Sequence, residues 1–135
     1  MAELTINMGG YQPPTSVHNR AAEVFGKELK TRLDDRVEFN LDGNMPGSPG
    51  CRADDLPKMV DKGDLTMCYF ASSYLTENVP EMGIFDLPFV VDSREKAYAA
   101  LDGELGDLLK KKYLETTGWR GLGVWDNGFR HFTNS

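Results

Sequence analysis

The residues best suited to chemistry lie in Gly121-Leu-Gly-Val-Trp125-Asp126-Asn127-Gly128-Phe129-Arg130-His131. An apolar run with strand character leads there into a turn holding an amide, a glycine, an arginine and an imidazole. A guanidinium grips a carboxylate through two parallel hydrogen bonds. Trp125 and Phe129 flank the turn with apolar surface, and a guanidinium desolvated by such walls costs stability unless an anion completes it. A surface ion pair is the usual fate of an arginine, but the chemistry of this turn favours a ligand role for Arg130, with Asn127 beside it. His18 and His131 are the only imidazoles, too scattered to make a metal site.

Two further stretches carry candidate groups. Phe70-Ala71-Ser72-Ser73-Tyr74 places two hydroxyls and a phenol after an apolar run, which suits Ser72 and Tyr74 to hydrogen bonding with a small polar ligand. Nothing around Ser72 resembles the G-x-S-x-G turn of a nucleophilic serine. Tyr74 is expected to be partly core, since aromatic residues usually pack. Gly9-Gly10-Tyr11-Gln12 is a glycine-rich turn leading to a helix start near Ser16. Such a turn offers backbone N–H groups to an anion, or simply lets a strand pass into a helix, and the residues leave both readings open. It lacks the G-x-G-x-x-G spacing and the phosphate-binding lysine, so no nucleotide and no cofactor are expected.

The elements that must position these residues alternate between strand and helix. Residues 4–8 read as a strand, and Ser16 as the N-cap of a helix over 17–33 with His18, Ala22, Phe25, Leu29 and Leu33 on its apolar stripe. Val37-Glu38-Phe39-Asn40-Leu41 alternates as a strand buried on one face does. Asp54 or Asp55 caps a short helix that Gly63 ends, and Leu65–Phe70 reads as a more fully buried strand. Residues 71–92 read as an ordered loop with one short helical turn. Ser93 caps a helical stretch to about residue 117, with Leu101, Leu105, Leu108, Leu109 and Tyr113 as its apolar face and Gly103 and Gly106 as candidate breaks. A last strand is expected over 120–126. This order predicts an α/β domain, mainly parallel sheet flanked by helices, with right-handed crossovers and all three candidate sites at strand carboxyl ends.

Composition bounds the function. The 135 residues are 40% hydrophobic and 27% charged, ordinary for one globular domain. A net charge of −6 argues against a nucleic-acid surface, which needs clustered Lys and Arg. Lys110-Lys111-Lys112 is the solvated face of a leucine-rich helix, and no stretch approaches the roughly 18 apolar residues of a membrane span. The opening residues read as a strand and not as the basic-then-apolar pattern of a secretory leader. Cys51 and Cys68, seventeen positions apart, match no zinc or redox spacing and are expected to be unlinked thiols; a disulfide between them would need an oxidising compartment and a loop folded over the strand end.

Four stretches in register then carry a resemblance: Val17-His18-Asn19-Arg20-Ala21-Ala22, Leu65–Phe70 with Ser72-Ser73-Tyr74-Leu75, Phe85-Asp86-Leu87-Pro88-Phe89-Val90-Val91, and Trp125–His131. Together they resemble the dicarboxylate-type substrate-binding proteins of TRAP (tripartite ATP-independent periplasmic) transporters. The resemblance implies a periplasmic two-lobed α/β protein that closes on a small organic acid and delivers it to a membrane permease, without catalysis. In that family an arginine after an Asn-Gly turn contacts the substrate carboxylate, and Arg130 stands at the matching position with Asn127 in the same turn. The same mapping puts Tyr11, Ser72 and Tyr74 at strand ends facing the cleft. Family members are more than twice this length, so residues 1–135 are expected to form a single α/β lobe lacking the second lobe, the hinge helix and the leader. The other readings are a small hydrolase acting on an acidic substrate, which finds no paired carboxylates or activated nucleophile here, and a self-associating fragment.

Overall fold

The structure is a computed structural model that describes residues 3–129 and 131. The chain divides into two compact units, Met1–Phe70 and Ala71–Ser135.

In the first unit, β1 (Leu4–Gly9), α1 (Val17–Leu33), β2 (Val37–Asp42), α2 (Leu56–Lys62) and β3 (Met67–Cys68) follow in order. The three strands form one parallel sheet with β1 in the centre, in the order β2-β1-β3. Leu4 pairs with Val37, Gly9 with Asp42, and Met8 with Met67. Parallel neighbours cannot be joined by a hairpin, so α1 carries the chain from β1 to β2, and α2 carries it from β2 to β3 on the other side of β1. The α/β architecture and the parallel sheet expected from the sequence are both present.

α1 matches its expected range, and Ser16 Oγ accepts from the Asn19 backbone N–H at 3.1 Å as an N-cap should. Its most buried line is Asn19, Ala22 and Gly26. His18, Phe25, Leu29 and Leu33 flank that line, half-buried. Gly26 lies there because a Cβ would stand 2.2 Å from the Phe39 ring of β2. Met8, Ala22 and Tyr69 form the packed centre, with Tyr11, Phe39, Leu41 and Met67 against it.

Two expectations of the first unit need adjustment. The strand read over 65–70 forms a ladder only at Met67–Cys68. Thr66 N–H reaches Asn7 O and Tyr69 N–H reaches Gly9 O, so the segment does follow β1. The Asn7 N–H, however, is taken by the Thr66 hydroxyl at 3.1 Å rather than by a carbonyl, and the ladder stops there. Asp55, at the start of α2, directs its carboxylate back to the Arg52 N–H instead of capping the helix, while Gly63 ends α2 with φ of 82° as expected. Cys51 and Cys68 are both free thiols.

The second unit has two short 3-10 stretches, Ser72–Leu75 and Pro80–Asp86, and two helices, α3 (Arg94–Leu101) and α4 (Glu104–Thr117). Ser93 caps α3 through its hydroxyl. The helical stretch breaks at Asp102-Gly103 only; Gly106 lies inside α4, where a Cβ would collide with the Leu101 carbonyl, so it permits the tight α3–α4 corner. Leu109 and Tyr113 are buried, but Leu108 is exposed and does not join the expected face. The strand expected over 120–126 is absent: residues 119–129 form no ladder, and Leu122 and Val124 are exposed. Apolar alternation reports what a segment would bury beside a partner, and a strand without a paired edge leaves its backbone groups to water.

The buried side chain of Asn19 generates a stability prediction. Its amide faces Gly43, where an added Cβ would stand 2.2 Å from Asn19 Oδ1. Asn19→Ala should lower the unfolding free energy by about 3 kcal/mol, because it leaves buried carbonyls and a phenol without partners. Gly43→Ala should be costly in the natural background and nearly silent beside Asn19→Ala. Strictly additive losses in urea unfolding would contradict the packing described here.

Candidate functional site

Tyr11, Tyr69 and His18 come together at the carboxyl end of the first unit's sheet. The Tyr11 and Tyr69 ring centroids are 5.7 Å apart, and His18 stacks on Tyr69 at 5.8 Å. Beneath them lies Asn19, 2% exposed. Its amide nitrogen donates to Gln12 O at 3.0 Å, Pro13 O at 2.9 Å and Gly43 O at 3.3 Å, and its oxygen accepts from the Tyr69 hydroxyl at 2.8 Å. One side chain thus ties the loop after β1, the loop after β2 and the residue after β3. Burial pushes the Tyr69 phenol above its ordinary pKa, which keeps it a neutral donor. Tyr11 itself is half-buried and bridges to Asn44 across the loop.

Two N–H groups of the glycine turn are engaged by the end of β2 and the loop after it. Gly10 N–H goes to Asp42 O at 2.8 Å, and Gln12 N–H goes to Gly43 O at 3.0 Å. Gly10 is there because a Cβ would lie 2.4 Å from the Tyr69 ring, and Gly9 because one would meet Leu65 at 2.5 Å. Both glycines allow close packing.

In the second unit, Ser72 is half-buried at the start of the first 3-10 stretch. Tyr74, expected to be partly core, is 48% exposed, and its neighbour Leu75 is buried. The terminal turn is organised by Asp126. Its Oδ1 accepts from Gly128 N–H at 2.6 Å, and its Oδ2 accepts from the Tyr98 hydroxyl at 2.8 Å and pairs with Arg94 Nε at 2.9 Å. Gly128 has φ of 83°, which a glycine adopts without strain. Arg94 Cζ lies 5.5 Å from the Phe129 ring centroid. Asn127 sits exposed within this turn. Trp125 and Phe129 are 40% and 46% exposed, so the dry walls expected around the turn are half wet in this chain. Arg130, the expected anchor, lies outside the described residues.

Sequence reasoning passed over Asn19 as a structural residue and passed over Asp126, Arg94 and Tyr98. Asn19 carried a signal: it falls three and seven positions before Ala22 and Gly26, on the helix line that is most buried. Asp126 carried one too, since an aspartate two residues before a glycine makes a side-chain-to-backbone turn. Arg94 and Tyr98 carried none, because their tie to residue 126 is long-range.

Within the first unit a groove lies between α1 and β2, bordered by Glu23, Gly26, Lys27, Lys30, Thr31, Phe39 and Leu41, and Tyr11 does not line it. Among the described residues no cluster of three His, Cys, Asp or Glu is arranged to hold a metal, and no helix is long and apolar enough to cross a membrane. Burial pushes the Cys68 thiol up to about 11, which makes it a poor nucleophile at neutral pH.

Comparison with known proteins agrees with this α/β frame. Residues 8–135 match the family model for bacterial extracellular solute-binding proteins, family 7. The chain belongs to that family. It is 32% identical over 135 residues to an uncharacterised protein of Haemophilus influenzae, covering all of this chain and 40% of that one. It is 30% identical over 135 residues to the 2,3-diketo-L-gulonate-binding periplasmic protein YiaO of Escherichia coli, again covering all of this chain and 40% of the relative. Among solved structures, a sugar acid binding protein of Advenella mimigardefordensis in complex with galactonate superposes with a TM-score of 0.84 at 27% identity, over 96% of this chain and 40% of that one. A TRAP periplasmic solute binding protein of Sulfurospirillum deleyianum with bound succinate gives 0.76 at 30% identity, over 85% and 36%. The chain therefore spans about 40% of the length of the curated relatives it matches.

The Asp126 frame generates a pH prediction. The Gly128 N–H, the Tyr98 hydroxyl and Arg94 hold the Asp126 carboxyl below its ordinary value of 3.8, and the same contact holds the Tyr98 phenol above 10.0. A lowered carboxyl pKa contributes stability that is present above the unfolded value and lost as pH falls through the folded one. A raised phenol pKa contributes stability that is present below its unfolded value and lost as pH rises through the folded one. Asp126→Asn should flatten the acid limb of melting temperature against pH below about 4. It should also move one tyrosine titration, followed by ultraviolet absorbance, down toward the ordinary range. A titration unchanged from the natural protein would show that the contact is not formed in solution.

Proposed function

We propose that this chain is part of the substrate-binding component of a TRAP-type transporter, capturing a small organic carboxylate outside the cytoplasm and delivering it to a membrane permease. The observation that carries this reading is the family match across residues 8–135. The acids named with the relatives support the substrate class: galactonate, succinate and 2,3-diketo-L-gulonate all carry a carboxylate. The periplasmic names of YiaO and of the C4-dicarboxylate-binding protein of Rhodobacter capsulatus, 40% identical over 52 residues, support an extracytoplasmic place of action.

In this reading Arg130 anchors the ligand carboxylate, and Asn127, Tyr11, Ser72 and Tyr74 complete its polar contacts from this side. Residues 1–135 form a single α/β lobe of the whole protein, whose remaining part supplies the other lobe. The protein binds and releases its acid unchanged and is not an enzyme. Affinity then depends on closing two lobes, so this chain alone binds weakly.

The test is binding by the full-length protein. Galactonate or succinate should raise its melting temperature in proportion to occupancy, with no product formed on long incubation. Arg130→Gln should weaken binding at least about thirtyfold, as expected when a charge pair closed off from water loses its cation, while leaving the ligand-free melting temperature in place. Equal affinity in the natural and substituted proteins would refute Arg130 as the anchor, and turnover of either acid would favour the hydrolase reading.

A further inference from the structure

We infer that Arg94 is a positioning residue for the terminal turn: it neutralises Asp126 and braces Phe129, so that the turn receives an acid ligand without a facing negative charge. The inference rests on the carboxylate-binding reading above.

Asp126 presents a problem in that reading. It builds the turn, because its Oδ1 holds the Gly128 N–H at 2.6 Å. It also places a full negative charge one residue before Asn127 and four before Arg130 in sequence. An unscreened like charge close to a bound anion, at a dielectric between protein and water, weakens binding about tenfold. The turn needs the aspartate's geometry, and an anion site is harmed by its charge.

Arg94 resolves the conflict. Its Nε pairs with Asp126 Oδ2 at 2.9 Å, and Tyr98, one helical turn further along α3, donates to the same oxygen at 2.8 Å. The Arg94 guanidinium carbon stands 5.5 Å from the Phe129 ring centroid, and Nη2 lies 3.9 Å from where a Cβ on Gly128 would be. One planar cation therefore spans the turn from residue 126 to residue 129. An isolated surface ion pair contributes little. This one differs in being tied at one end to a carboxylate that also holds a backbone N–H, and at the other to an aromatic face. A lysine would supply the charge without the planar group that lies along the turn.

A charge cycle in the full-length protein tests this, with galactonate and succinate as probes. Arg94→Gln exposes the Asp126 charge and should weaken binding about tenfold at low ionic strength, with a smaller loss at high ionic strength. Adding Asp126→Asn removes the charge and should return affinity to within about threefold of the natural protein, since one tenfold step is then cancelled. A purely structural role would predict a double variant no tighter than Arg94→Gln and no dependence of the loss on salt; either result overturns the inference. So does Arg94→Gln binding as tightly as the natural protein. If the natural protein binds neither acid, the carboxylate reading itself falls and this inference with it, an outcome distinct from a failure of Arg94 alone.

Discussion

A single buried amide carries the geometry of the first unit. Asn19 sits on the most buried line of α1 with 2% of its surface exposed. An unsatisfied amide there would cost more than a typical hydrogen bond returns, so its partners are obligatory. Those partners are the carbonyls of Gln12, Pro13 and Gly43 and the hydroxyl of Tyr69. The loops that leave β1 and β2, and the residue that follows β3, are thereby held to one point. The glycines at 10 and 43 follow from the same constraint, since any side chain there would collide with Tyr69 or with Asn19. The sheet brings the strand ends near one another, and Asn19 sets where the loops go.

The second unit solves a similar problem with charge at its surface. Asp126 shapes the terminal turn by accepting from the Gly128 N–H, and Arg94 and Tyr98 hold that carboxylate from α3. A buried amide resists change because its neighbours would be left unpaired. A solvent-facing carboxylate is tuned instead by which cation stands beside it. Both devices use side chains to settle loop backbone that the regular elements leave undetermined.

Much of the frame was legible in the residues. Ser16, the stripe of α1 and Gly63 mark their elements through local chemistry alone: a hydroxyl beside free N–H groups, a 3.6-residue period and a residue that tolerates positive φ. The parallel sheet followed from strand–helix–strand order. The expected strand over 120–126 did not form, because alternation of apolar residues does not supply a paired edge. The shortening of β3 turned on one hydroxyl, that of Thr66, competing for the Asn7 N–H. The candidate site was less legible than the frame. Tyr11 packs on Tyr69 and His18, Tyr74 lies more exposed than an aromatic pattern suggests, and the residues that organise the terminal turn come from a helix some thirty positions earlier.

The sequence by itself determined what is local and periodic: the helices and their caps, the central strands, the α/β order, and a family membership carried by four stretches in register. Only the tertiary structure decided that Gly9 and Gly10 make room for Leu65 and Tyr69, that Asn19 is a structural anchor, and that Arg94 belongs to the turn at 126–129. The physical reason is the same in each case. A glycine, an amide or a guanidinium has several uses of comparable energy, and which one is realised depends on the atoms that other segments bring within about 3 Å, the range of a hydrogen bond.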